Sequence, residues 1–590
     1  MIGKVLESSA LEITTRMEFE DFEKNKDNLK IGKYLQISIG NHESLIASIK
    51  GIKAIADNDN KEKYIMTAEP IGIIDDNGFS PGSTLLPSPT EPVDIAGQDV
   101  LDKIFQDNKK YSFPLGHLVQ NKEVKLNIDG NTFFSKHIGI VGSTGSGKSC
   151  TVAKILQEVV GIQEAGNVNI MQQKNAHIII FDIHSEYKSA FTLADEQKFS
   201  LNYLDVEKLK LPYWLMNSEE LESIFIESNE SNSHNQISQF RRAVILNKEK
   251  YNPSLSKVTY DTPVYFSIEE VYNYISNMND EVISKIANEE QVPKIINDKK
   301  EQEAIRDRKR YFEERYTFIP TSTAAASKAS NGPFNGEFNR FISRLDNKIN
   351  DRRLEFLMKP QKENGNVYTS DDFDEILKQF LGYLNKANVS IIDLSGVPFE
   401  VLSITISLIS RIVFDFCFHF SKLKHERNEV NDVPFTIVCE EAHNYVPRSG
   451  SVDYAASRKS IERIAKEGRK YGISLMVVSQ RPSEVSDTIF AQCNNFIALR
   501  LTNISDQSYI KNLLPNNTNA VAEILPTLQP GQCLMVGDAS PIPAIVQLEK
   551  PNPEPQSKNV DVYDVWKEDW KEIDKDESVT LNDVLERWRR

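Results

Sequence analysis

The stretch His137-Ile-Gly-Ile-Val-Gly-Ser-Thr-Gly-Ser-Gly-Lys-Ser149 has residue types and spacing that can grip phosphate. Gly142 and Gly147 flank four residues, and Lys148 and Ser149 follow at once. A loop of Gly142, Ser143, Thr144, Gly145, Ser146 and Gly147 can turn its backbone N–H groups inward on one anion, with Cys150 close behind. Lys148 would reach the β- and γ-phosphates of ATP, and Ser149 would hold Mg2+. A second segment, Pro434-Phe-Thr-Ile-Val-Cys-Glu-Glu-Ala-His443, ends an apolar run in two acids. Glu440 suits the metal side, and Glu441 suits the base that polarises an attacking water. Many phosphate-loop enzymes carry Asp at the first position; Glu440, one methylene longer, would contact Mg2+ through water. A third run, Ser474-Leu-Met-Val-Val-Ser-Gln-Arg-Pro482, places Gln480 at its tip, where it can sense the γ-phosphate or orient water. The plainer reading of Gln480 is a hydrogen-bonded residue at a strand end.

These residues need a scaffold. A buried strand over Ile138–Val141 must enter the loop and a helix over 148–160 must leave it, its positive end facing the anion. Apolar runs at Val389–Leu394, Phe435–Cys439, Ser474–Val478 and Phe496–Leu501 predict further buried strands. The pattern is that of an α/β domain whose ligands lie beyond the carboxyl ends of its strands. We therefore expect two halves of one phosphate-loop core, 101–204 and 386–548, divided by a polar, helix-prone insertion at 205–385. Within the insertion, Asn297–Arg315 reads as a mixed-charge helix face. Residues 1–100 carry short alternating runs, such as Lys33–Ile39 and Ser44–Lys50, which predict a small antiparallel barrel or sandwich. Phe79–Pro92 reads as a Pro-rich connector. The tail, 549–590, holds Trp566, Trp570 and Trp588 and either folds back on its own chain or runs over a neighbouring subunit.

Composition limits the partners. The 590 residues carry a net charge of −16, so any nucleic-acid contact must use a local basic surface. Five scattered cysteines without CxxC spacing fit a reducing compartment. The apolar stretch Val401–Phe420 contains Arg411 and Asp415 and reads as a buried helix too short and too charged to cross a bilayer. The first residues lack the apolar run of a signal peptide. A cytoplasmic protein without membrane attachment is expected.

Several segments in order resemble the HerA branch of the HerA/FtsK superfamily of hexameric DNA-translocating ATPases. Beside the phosphate loop and Glu440-Glu-Ala-His443, Phe181-Asp-Ile-His-Ser-Glu-Tyr187 looks like the family's Asp-Pro-His-Gly-Glu-Tyr segment, with Ile183 for Pro and Ser185 for Gly. Asn388–Pro398 looks like its central strand, Ile461–Gly472 and Ser479–Pro482 match further motifs, and residues 499–508 and 530–538 match its closing strands. Residues 1–100 fit the family's HAS barrel. The resemblance implies a RecA-like (ASCE) core with a small β-barrel and a helical insertion.

It also implies a ring of six subunits with ATP between neighbours and DNA in the central pore. A basic residue of one subunit then completes the next subunit's site. Arg469 matches a family arginine. Lys136 lies where archaeal members carry arginine, though a lysine cannot fork to two oxygens. A solvated surface charge is the other reading of each. His184 and His443 read as hydrogen-bond partners of the site, not as metal ligands. For DNA, the loop Val446–Val452 offers Arg448 among small residues, followed by Arg458 and Lys459; an ordinary surface loop is the alternative. The resemblance further implies a partner, a nuclease or a sirtuin-like NAD-hydrolysing effector, in DNA end processing or anti-phage defence. Two functions follow: a motor that moves or unwinds duplex DNA, and a ring scaffold that activates a partner effector.

Overall fold

The amino-terminal strands alternate apolar and polar residues, and that alternation closes them into a barrel. In the computed structural model, residues are described throughout except for 41–42, 57–61, 77, 83–84, 106–110, 163–172, 194–198, 228–229, 231, 450–454, 515–521, 558–559, 571–578 and 590. The barrel comprises β1 (Gly3–Ser8), β2 (Ile13–Glu18), β3 (Tyr34–Ser38), β4 (Ser44–Ala56), β5 (Glu62–Asp75), β6 (Gly78–Pro81) and β7 (Pro92–Ile95). Six strands run in the order β2-β1-β7-β3-β4-β5, and pairing of β2 with β5 closes the circle, leaving β6 on the outer flank of β5. Ile13, Met17, Leu35, Ile37, Leu45, Met66 and Val93 fill its interior. Of the expected connector, the first residues form β6, and residues 83–84 lie outside the described residues.

The core follows with β8 (Ser112–Leu118), β9 (Asn121–Asp129), β10 (His137–Val141), β11 (His177–Asp182) and β12 (Leu201–Leu204). Between β12 and the next core strand lie helices and two small two-stranded sheets, built from β13 (Val282–Ser284) with β16 (Ala329–Asn331) and from β14 (Lys294–Ile296) with β15 (Gln302–Ala304). The core resumes with β17 (Val389–Asp393), β18 (Phe435–Cys439), β19 (Ile473–Ser479), β20 (Cys493–Ala498), β21 (Gln532–Gly537) and β22 (Ala544–Gln547). One eleven-stranded sheet results, in the order β12-β17-β11-β18-β19-β10-β20-β21-β22-β8-β9. Its first seven strands are parallel, and the remaining four are antiparallel. This is the RecA-like arrangement: one strand, β19, separates the phosphate-loop strand β10 from the acid-bearing strand β18.

The parallel strands are apolar nearly throughout because both faces are covered. Successive residues alternate between the two layers: Ile178 and Ile180 enter one core, Ile179 and Phe181 the other. Each fully buried side chain of this size contributes roughly 1.5–3 kcal/mol. Val389–Asp393, expected at the centre, is the second strand from the edge. Of residues 499–508, expected among the closing strands, 504–508 instead begin a helix, Ile504–Leu513, capped by Asn503.

The apolar stretch near 401–420 belongs to a 28-residue helix, Phe399–Glu426, longer than the sequence alone suggested. By length and composition it could cross a membrane, but 78% of its apolar window is buried within the protein. Arg411 does not interrupt it, because a partner neutralises the charge. Its Nη2 lies 2.9 Å from Oε2 of the buried Glu220, which stands on the insertion helix Ser218–Phe225.

The run Asn297–Arg315 is not a helix. It contains β15 and the 3-10 turn Arg308–Phe312, with Tyr311 and Phe312 buried. Two of its arginines pair outside the run, Arg306 with Glu290 at 2.8 Å and Arg308 with Glu281. Arg308 forks onto the fully buried Glu281 at 2.8 and 2.9 Å.

Two compact units divide the chain at Pro555 and Gln556. Residues 551–555 fold back on the core. Asn552 N–H donates to Gln157 Oε1, Gln157 Nε2 to the Pro553 carbonyl, and Ser189 Oγ to the Glu554 carbonyl. The second unit carries the helices Val562–Val565 and Leu581–Arg589, with Trp566, Trp570 and Trp588 exposed.

Candidate active site

The loop after β10 turns where its glycines allow it. Gly145 and Gly147 have φ of +72° and +98°, a region other residues enter at a cost. A side chain on Gly142 would meet Ser146 Oγ at 2.5 Å and Leu499 Cβ at 2.9 Å. The helix Lys148–Val160 starts at Gly147, and no side chain caps it. Its first N–H groups are therefore left for an anion. Ser146 Oγ is buried without a hydrogen-bond partner, and the space where Gly145 would carry a Cβ is open. The other loop residues are braced from below: Ser143 N–H donates to the Arg500 carbonyl, and Ser143 Oγ meets Thr502 Oγ1 at 3.1 Å. An orphan hydroxyl beside an open cradle fits a nucleotide phosphate. Ser149 and Glu440 are hard oxygen donors and suit Mg2+, which when bound would neutralise phosphate charge. Cys150 is half-buried on the helix.

Glu440 and Glu441 follow β18 directly, and both are nearly fully buried. Glu441 has φ +46° and ψ +48°, a conformation that costs a non-glycine residue about 1–3 kcal/mol and is held by what surrounds it. Lys148 Nζ stands 3.9 Å from Glu441 Oε1. Gln480 Nε2 donates to the same oxygen at 2.5 Å, and Gln480 Oε1 accepts from Thr144 Oγ1 of the phosphate loop at 2.5 Å. His443 Nδ1 lies 3.3 Å from Glu441 Oε2 and 3.3 Å from Ser479 Oγ. Burial holds the His443 imidazole below its usual range, against the pull of Glu441. Burial likewise pushes the Glu440 carboxyl up, opposed by the hydroxyl of Tyr187.

Lys148, Glu441, Gln480 and the phosphate loop thus meet at one place. His443 is a hydrogen-bond partner of the site. His184 is exposed instead. Thr144 was legible as a loop residue but not as the partner of Gln480. Tyr187 was missed as a site residue. Its hydroxyl donates to Glu440 Oε2 at 2.7 Å from a fully buried ring. Ser185, which stands where the family carries Gly, adopts φ +58°, and its Oγ donates to Asp393 at 2.6 Å.

The cations considered as partners of a neighbouring site lie at the opposite, amino-terminal edge of the sheet. Lys136 precedes β10 and pairs with Asp538 at 2.6 Å. Arg469, just before β19, donates to Asn494 at 2.9 Å, and Asn494 donates to Asp538 at 3.2 Å. Between them His137 is buried, its Nδ1 accepting from Leu475 N–H and its Nε2 donating to the Ala465 carbonyl.

Arg448 is half exposed, paired with Asp487 at 2.8 Å and lying over the Tyr509 ring. The strand-end loops that carry Glu441 and Gln480 are joined beside it: Arg448 N–H donates to the Glu484 carbonyl, and Ser486 N–H to that of Val446. Gly450, Ser451 and Val452 of the expected DNA loop lie outside the described residues. Arg458 and Lys459 pair with Glu462 and Glu219.

The family model "Helicase HerA, central domain" matches residues 113–413. The DNA double-strand break repair helicase HerA of Saccharolobus solfataricus is 26% identical over 77% of this chain and 71% of its own. That of Pyrococcus furiosus is 22% identical over 82% and 78%. Among solved structures, the bacterial conjugative coupling protein TrwB aligns with 78% of this chain and 94% of its own, at 12% identity and a TM-score of 0.43. The matched region spans β8 through most of the helix Phe399–Glu426, and so includes the phosphate loop, the Asp182–Tyr187 turn and the whole insertion. The chain belongs to the HerA helicase family, an ATP-hydrolysing class.

Proposed function

We propose that the protein is an ATP-driven DNA translocase or helicase that works as a homohexameric ring. Hydrolysis at each site is completed by the neighbouring subunit, and duplex DNA is held in the central pore. The carrying observation is the separation of Lys136 and Arg469 from their own phosphate loop. The five residues of β10 set the two edges about 16 Å apart, at about 3.3 Å per residue. Neither cation can reach its own γ-phosphate, yet both are held by polar partners at an exposed edge, Lys136 by Asp538 and Arg469 by Asn494. A ring built head to tail would bring such an edge to the next subunit's nucleotide.

In this reading Lys148 and the loop N–H groups bind the phosphates. Glu441 accepts the proton of water, Gln480 orients Glu441 against the loop, and Ser149 with Glu440 holds Mg2+. Arg448 touches the DNA backbone. End processing or anti-phage defence falls to a partner, a nuclease or a sirtuin-like effector, and the site of action is the cytoplasm, where the DNA is.

The test is ATP turnover by the purified chain, with and without duplex DNA, alongside its mass in solution. The proposal expects a six-subunit particle whose turnover DNA raises. A monomer, or turnover indifferent to DNA, would sink it.

A further inference from the structure

Glu440 is buried beside a strand that carries its own acid. Register sets Phe181 of β11 beside Cys439 of β18, so Asp182 lies next to Glu440. The Asp182 carboxylate folds the following turn back on itself, accepting from Glu186 N–H at 3.1 Å and Tyr187 N–H at 2.9 Å. A second acid, Asp393 at the end of β17, takes the Ser185 hydroxyl and holds that residue at its positive φ. Two acids on two neighbouring strands therefore fix the turn, and the turn delivers the Tyr187 ring to a fully buried place against Glu440. The Tyr187 hydroxyl has one proton to give, and it gives it to Glu440 Oε2 at 2.7 Å. Among the described residues no other group hydrogen-bonds that carboxylate.

We infer that Tyr187 is the positioning residue of the metal-side carboxylate: by tying down one oxygen of Glu440, it fixes the rotamer in which the other serves the magnesium of the nucleotide complex. The inference rests on the role given to Glu440 above. A freely rotating carboxylate would have to be ordered each time magnesium nucleotide bound. A residue already tied by a buried phenol is ordered beforehand, and removing such a support from a metal ligand commonly costs ten- to a hundred-fold in metal affinity.

The test uses the full chain and a fluorescent ADP analogue, titrated in EDTA and in magnesium. Y187F keeps the ring and deletes only the hydroxyl. The expected result is a magnesium-dependent tightening about tenfold smaller than in the unaltered protein. Affinity in EDTA should be unchanged, and turnover should recover as magnesium is raised. A Y187F protein that keeps the whole magnesium effect overturns the inference. So does one that loses binding equally in EDTA, since that marks a general packing defect. E440Q separates the two layers. If it loses the magnesium effect while Y187F keeps it, only the role of Tyr187 falls; if E440Q keeps it, the assignment of Glu440 falls and takes this inference with it.

Discussion

Lys148 and Glu441 face each other across the phosphate loop, Nζ to Oε1 3.9 Å apart, with side chains 7% and 5% exposed. In so dry a place each charge depends on the other. In the proposed reading a triphosphate would bring its own negative charge to Lys148, compete with Glu441 for it, and so loosen Glu441 from the cation that holds it.

Replacing Glu441 by Gln keeps the shape and removes the charge. Hydrolysis should fall by at least about 100-fold, the contribution of a positioned base. Nucleotide affinity should be kept or improved, because Lys148 is no longer shared. Single-turnover hydrolysis and a fluorescent nucleotide titration check this, and unchanged turnover would remove Glu441 as the base.

Gln480 holds Glu441 with its amide nitrogen and Thr144 with its amide oxygen. Gln480→Ala should lower kcat by about 10–100-fold and leave KM nearly unchanged, the signature of an interaction that acts on the reaction rather than on binding. Thr144→Val should do the same more weakly. Steady-state kinetics decide, and a raised KM with normal kcat would instead mark a simple phosphate contact.

Arg469→Ala and Lys148→Ala proteins should each be inactive alone. Mixed and reassembled one to one, they should regain activity. About a quarter of sites would then pair an intact phosphate loop with a neighbour's intact Arg469 in a head-to-tail ring. ATPase assays on the mixture test it, and no recovery in verified mixed rings would place Arg469 outside the neighbouring site.

Arg448→Ala should weaken duplex binding similarly across sequences and reduce the slope of affinity against salt by about one unit. Its ion pair with Asp487 is half exposed and worth little, so the side chain is available to a phosphate. Titrations at several salt concentrations measure the slope, and an unchanged slope argues against a backbone contact.

His137 is held neutral by burial, its imidazole lowered to about 4 from 6.5. The unfolded chain takes up its proton near 6.5 and the folded chain only near 4. Between those values the unfolded state binds more protons, so stability falls as pH falls, by up to about 1.4 kcal/mol per pH unit. Thermal midpoints at pH 7 and pH 5 should therefore drop on acidification, and less so in His137→Gln. An equal drop in both proteins would assign the effect to other groups.

The phosphate loop, the acidic pair and Gln480 were legible in the sequence because their chemistry is local. A glycine turn between a strand and a helix, and acids just past an apolar run, need only neighbouring residues to take their form. The buried strands were legible for the same reason: an apolar run in a parallel sheet is covered on both faces wherever it lies. The helix over 297–315 failed because Arg308 and Arg306 answer to Glu281 and Glu290, outside the run, and Arg310 reaches Glu303 seven residues back on β15. No local pattern announces such partners.

Sequence alone thus determined the phosphate-loop pattern and the acids that close an apolar strand, since backbone geometry and residue type suffice for that. Tertiary structure decided the rest. The parallel register of β11 with β18 brought Tyr187 to Glu440 across 253 residues of chain. The order β18-β19-β10 set Gln480 between Glu441 and Thr144. The length of β10 carried Lys136 to the far edge of the sheet from Lys148, twelve residues along the chain. Strand order and register are fixed by the packing of the whole sheet, and so no short stretch of sequence contains them.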